Sequence, residues 1–175
     1  PNTLQDLLNA RLNRLGDAKE TAQLAATIGR EFSFNLLAQS SPLPEEEVRR
    51  ALNAMMDKDL VYRQRRVGDQ GYIFRHALIR DAAYDGMLST PRKLNHRKVA
   101  DALREAFPET VEENPFEIAR HLAGAEEIVE GVEYGLKALD KQVGNSSNLE
   151  AVKTSEIVQH WTQSIILPEQ TTPEQ

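Results

Sequence analysis

Four histidines, at positions 76, 96, 121 and 160, are the residues of this sequence best suited to move a proton or hold an ion. Cysteine is absent, which removes thiolate nucleophiles, disulfides and cysteine-type zinc sites. His76 is set apart by its neighbourhood: it stands in "FRHALIRDAAY", residues 74–84, where an apolar run gives way to a helix start. An imidazole there can pack, serve as a base, or donate an N–H to a bound phosphate, which would favour its charged form. The bland alternative is a partly buried ring capping backbone groups at a strand-to-helix junction. His96 and His121 fall on apolar helical faces with no second ligand at i+4, the pattern of core histidines rather than of a metal site. His160 precedes Trp161, but Val158, Trp161 and Ile165 recur at helical spacing, so the indole reads as a packing anchor.

Recognisable catalytic constellations are missing. The sequence has no G-x-x-x-x-G-K-[ST] phosphate loop, no Rossmann glycine fingerprint and no metal quartet. "AFPETVEENPFE", residues 106–117, is rich in carboxylates but reads as a solvated loop around two prolines, not as a general acid and base in contrasting environments. The chain on its own is therefore expected to be non-catalytic, with no metal and no cofactor.

Apolar residues make up 40% of the 175, enough to bury one or two small cores. No stretch approaches the ~20 apolar residues of a membrane span, and no signal peptide opens the chain, which predicts a soluble cytoplasmic protein with no membrane contact. A first residue Pro1 in place of an initiator Met suggests a piece of a longer polypeptide. The net charge of −6 is unevenly spread: residues 1–107 carry 17 Lys/Arg against 14 Asp/Glu, and residues 108–175 carry 4 against 13. Two segments with different surfaces follow, the second too acidic to wrap nucleic acid.

The elements that must position these residues are mostly helical. Thr3 with Asp6 resembles a capping box, and Leu4, Leu7, Leu8, Leu12 and Leu15 then follow at helical spacing until Gly16. Asp17 and Glu20 open a second helix carrying Ala18, Ala22, Ala25 and Ile28. Ser33 can cap a short piece, "FNLLAQ". Pro44 and three glutamates start the next helix, with Val48, Ala51, Leu52, Met55 and Leu60 as its inner stripe. The period then becomes that of strands in "LVYRQRR" and "YIFRH", separated by "VGDQG", which predicts a β-hairpin. Helices followed by a hairpin are the order of a winged helix. Helical period resumes at Ala77 and again after Pro91, where His96, Val99, Leu103 and Phe107 share a face.

Beyond Pro108 helices follow one another: "PFEIARHLAGA", then Ile128, Val132, Gly135, Leu136, Leu139 and Val143 in a long helix, then residues 149–167. The pair over roughly 126–167 has the length of one helix–turn–helix repeat of ~34 residues. The fold class expected is mainly α: a winged-helix domain with a short wing over 1–92, antiparallel TPR-like helices over 93–168, and a disordered tail over 169–175.

"LQDLLNARLNRLGDAKETAQLAATIGREFSFNLLAQ", "FRHALIRDAAYDGML" and "LNHRKVADALREAFPE" together resemble the segment after the ATPase core of bacterial signal-transduction ATPases with numerous domains, the STAND ATPases. The likeness is to those fused to class III adenylate/guanylate cyclase or Ser/Thr kinase domains and to multidomain transcriptional regulators, over about residues 3–124. It implies a preceding P-loop domain binding ATP or ADP, a winged helix that closes over that nucleotide, and a helical arm that binds a protein or signal. "FRHALIRDAA" is also similar to the Met-His-Asp motif of apoptotic and plant-resistance ATPases, whose histidine reaches the β-phosphate of ADP. Only the histidine transfers, since Arg75 and Ala77 flank His76. The resemblance thus makes His76 a nucleotide contact in the parent protein, on a helix seated by Phe74, Leu78, Ile79 and Tyr84. As an alternative, Arg63, Arg65 and Arg66 of the wing could touch a DNA backbone, with Arg92, Lys93, Arg97 and Lys98 as a second basic cluster. Glu45, Glu46 and Glu47 at the start of the would-be recognition helix argue against it. A plain protein-interaction module is the remaining alternative.

Overall fold

A computed structural model describes residues 3–65, 70–145 and 147–166. The chain is mainly helical with a small antiparallel sheet, and it divides into two units, Pro1–Ala102 and Leu103–Gln175.

In the first unit, Thr3 accepts a 3.1 Å hydrogen bond from the Asp6 N–H and starts α1, Leu4–Asn13. Leu8, Leu12 and Leu15 are buried, whereas Leu7, expected on the same stripe, is about half exposed. Gly16, at φ +58°, takes the left-handed turn that ends this segment. Asp17 precedes α2, Ala18–Ile28, but its carboxylate makes no capping bond; the run of buried alanines secures this helix instead. Ser33 does cap, its hydroxyl accepting from the Leu36 N–H at 3.1 Å to open α3, Phe34–Ser40. Pro44 precedes α4, Glu45–Asp57, which buries Val48, Ala51, Leu52 and Met55 as the periodicity predicts.

The hairpin is present as β2, Val61–Arg65, and β3, Gln70–Phe74, in register Val61↔Phe74 through Arg65↔Gln70. A strand the periodicity did not predict, β1 at Glu31–Ser33, pairs antiparallel with β3, so the sheet order is β1-β3-β2. Three residues between two helix signals are too few for a period of two to show. Their role is to bring Phe32 onto Tyr72, with stacked rings 5.8 Å apart, and onto Phe74 at 5.6 Å. All three rings are almost fully buried.

After α5, Ala77–Asp85, the chain enters α6, Ser89–Ala106. Pro91 lies in the first turn of α6, where proline's fixed φ and missing N–H suit a helix start. The boundary expected at residue 92 therefore falls inside a continuous helix, and the units divide at 102/103.

In the second unit, residues expected as an acidic loop instead form α7, Pro108–Glu113, with Pro108 in its first turn. Then come α8, Pro115–Gly124; α9, Ile128–Gly144; and α10, Asn148–Ile166. The tail over 169–175 lies outside the described residues. Trp161 is the anchor its spacing predicts, stacked on Phe116 at 6.1 Å, while Ile165 is 43% exposed. Helix α9 packs through small residues. A Cβ on Gly131 would lie 3.2 Å from the Ala119 carbonyl oxygen, and one on Gly135 only 2.5 Å from Val158 Cγ2. Val158 is buried and stiff about χ1, so it cannot swing aside. Gly135→Ala is expected to destabilise this unit by about 1–3 kcal/mol through overpacking, opposite in sign to the ~1 kcal/mol that helix propensity alone favours. Urea unfolding followed by Trp161 fluorescence reads this, and an unchanged or raised midpoint would count against the tight α9–α10 contact.

Candidate functional site

Local pairing fixes the junction between β3 and α5. The Phe74 N–H donates to the Arg30 carbonyl and the Arg75 N–H to the Leu60 carbonyl, both at 2.9 Å, so the strand is held on two sides up to its last residue. Arg75 then turns out to an ion pair with Asp59 at 2.7 Å, exposed on both sides and worth at most about 1 kcal/mol. His76 is the residue before α5, with extended backbone at φ −133° and ψ 143°. Its ring is exposed and makes no capping bond, and its carbonyl accepts from the Ile79 N–H at 3.0 Å. The bland alternative of a partly buried, capping histidine is thus not what is seen: the ring is exposed and the backbone ahead of the helix is extended. What results is an imidazole beside a helix N-terminus that no side chain caps, two donors of the kind an anion takes.

The helix seat also differs from expectation. Ile79, Ala82 and Ala83 are buried, but Leu78 is 51% exposed, because the buried face of α5 runs through 79, 82 and 83. Tyr84 belongs to a cluster not foreseen from the sequence. The Arg80 and Arg92 guanidiniums lie 4.6 and 5.0 Å from its ring centre, and its hydroxyl meets His96 Nε2 at 2.8 Å. Arg80 Nε donates to the Ala26 carbonyl at 2.8 Å, and Arg92 donates to the Met87 carbonyl at 3.0 Å. The cluster ties α5 to α2 and to the start of α6, holding the helix behind His76 in place. Its one trace in the sequence is the four-residue spacing of Arg80 and Tyr84, which puts them on one helical face. Arg92, read as part of a free basic cluster, is spent on backbone and ring contacts, and Arg97 pairs with Asp101 at 3.4 Å. His96 and His121 are both buried.

Of the hairpin arginines, Arg63 is exposed on β2 opposite Tyr72. The side chain of Arg65 and all of Arg66 lie outside the described residues. On α4, Arg49 pairs with Glu45 at 2.7 Å and Arg50 with Glu47 at 3.9 Å, so this helix's cations are balanced by its own acidic first turn. Grooves of about 530 Å³ in the second unit and 330 Å³ in the first are lined by neither His76 nor Arg63. His76 stands on open surface, suited to contact with another body. Among the described residues no group of acidic or histidine side chains could hold a metal, and no helix is long and apolar enough to cross a membrane.

No family model matches the chain, and no solved structure matches it. The chain is similar to an uncharacterized protein of Rhizobium meliloti (strain 1021), 26% identical over 151 residues. That alignment covers 86% of this chain but spans only 15% of the relative's length.

Proposed function

We propose that this chain is a non-catalytic regulatory piece of a multidomain signalling ATPase. Its first unit acts as a winged helix that closes over ATP or ADP held by a P-loop domain in the same polypeptide, and its second unit is an arm that binds a partner. The observation that carries this reading is His76: an exposed imidazole without an internal partner, beside an uncapped helix end, on a rigidly braced helix. The order α2, β1, α3, α4, β2, β3, with a hairpin after the helices, supports the winged-helix assignment. The much greater length of the similar Rhizobium protein supports a module that works within a larger chain. The acidic start of α4, whose Glu45 and Glu47 occupy the helix's own arginines, speaks against a duplex as its counterpart.

The test is ADP retention by the longer polypeptide that carries this segment behind its upstream sequence. One charge-assisted hydrogen bond is worth about 1.5–3 kcal/mol, so His76→Ala is expected to weaken ADP retention by roughly 10- to 100-fold. Because the ring supports no internal contact, the melting temperature should stay unchanged. The isolated chain should bind no nucleotide measurably, since one histidine supplies too few contacts. Undiminished ADP retention in the variant would sink the phosphate-contact role.

A further inference from the structure

Helix α9 is packed inside out. Gly131, Gly135 and Ala138 face the unit's interior, while Val129, Leu136 and Val143 are 62%, 53% and 63% exposed. Glycine in a helix interior costs about 1 kcal/mol relative to alanine, and three large aliphatics in water forgo the burial that would offset it. A helix needed only for its own hairpin would show the reverse arrangement.

The exposed residues are regularly placed. Val129, Leu136 and Val143 recur every seven residues, and the half-buried Val132 and Leu139 fall between them at the three-and-four spacing of a coiled-coil seam. The stripe is about 21 Å long at 1.5 Å per residue. Glu133 and Asp140 run along its solvent edge, both exposed and without an ion-pair partner among the described residues. The opposite edge is Gly135 and Gln142, turned toward the unit's own helices.

We infer that this stripe docks an amphipathic helix of a partner protein whose heptad apolar seam is edged by Lys or Arg. Apolar knobs would cover Val129, Leu136 and Val143, and the basic edge would pair with Glu133 and Asp140 in the position that sets partner choice in coiled coils. A second copy fits less well: two such helices laid antiparallel bring acidic edge against acidic edge. The inference rests on reading the second unit as the partner-binding arm and names the chemistry of that partner.

The experiment titrates the chain with two fluorescent synthetic helical peptides of equal length, both with Leu at the seam positions, one edged with Lys and one with Glu. The Lys peptide is expected to bind at least about tenfold more tightly, to weaken with added salt, and to lose about tenfold in affinity to the Val129→Ser/Leu136→Ser chain. The Glu133→Lys/Asp140→Lys chain, which leaves the apolar stripe intact, should reverse the preference between the peptides. Equal binding of both peptides, binding untouched by either variant, or no binding would overturn the inference. Sedimentation of the chain as a dimer that Leu136→Ser dissociates would also overturn it, by giving the stripe to a second copy. Peptide capture and ADP retention are separate readouts: loss of the first with the second intact removes this partner and leaves the nucleotide reading standing.

Discussion

Phe32→Ala lowers the stability of the first unit by about 3–5 kcal/mol, the range for deleting a fully buried ring. Phe32 is 1% exposed and sits between Tyr72 and Phe74, at 5.8 and 5.6 Å. Its removal opens a cavity the neighbours cannot close, because both partner rings are fixed by strand pairing on β3. It also forfeits two ring contacts, each worth about 0.5–1.5 kcal/mol beyond the area buried. Against a typical domain stability of about 5–15 kcal/mol, much of the unit's margin goes. Urea unfolding followed by far-ultraviolet circular dichroism measures it, and a loss below about 1 kcal/mol would mean that β1 is not docked as described. Phe32→Leu, which keeps most of the volume, should recover a large part of the difference.

Adjacent positions on α5 should behave very differently. Ile79→Ala is expected to cost about 2–5 kcal/mol as a buried aliphatic truncation, while Leu78→Ala should stay within about 0.5 kcal/mol as a surface change. The structural basis is one helical step: Ile79 is 1% exposed and Leu78 51%. The pair also bears on function. If α5 is the helix that carries His76 against a nucleotide, Ile79→Ala should raise ADP loss along with instability, and Leu78→Ala should leave both unchanged unless its exposed side chain touches the ATPase core. A large thermal shift from Leu78→Ala in the isolated chain would show that the buried face has been misassigned.

The helices were legible because each of the longer ones repeats its apolar residues at least three times. α4 is the clearest case, with Val48, Ala51, Leu52 and Met55 all buried as the spacing requires. Failures came where the signal was short or its sign ambiguous. β1 has three residues and takes its meaning from pairing with β3, some forty positions away. Leu7, Leu78 and Leu136 are apolar at helical spacing yet exposed, since periodicity gives the angle between residues but not which side a neighbour will cover. On α9 the glycines carry the inner face, and a residue without a side chain contributes nothing to an apolar pattern. "AFPETVEENPFE" misled in another way: proline and acidic residues mark a loop or the first turn of a helix equally well, and here they mark the start of α7 and α8. His76 was legible as a position, since strand and helix periods meet there. Its exposure was not, because that depends on the backbone angle at the junction.

The sheet order β1-β3-β2 has a consequence for how copies of this protein meet. With β3 in the middle, β2 has one ladder partner among the described residues, and its other side is an edge of the sheet. An open edge is a template on which another strand can add, and natural proteins guard such edges with charge. Arg63 stands exposed in the middle of β2. Two such edges approaching each other would bring like charges into register before any backbone bond could form. Arg63 therefore has a reason to be there that requires no ligand: its charge discourages a three-stranded sheet from growing into a longer one.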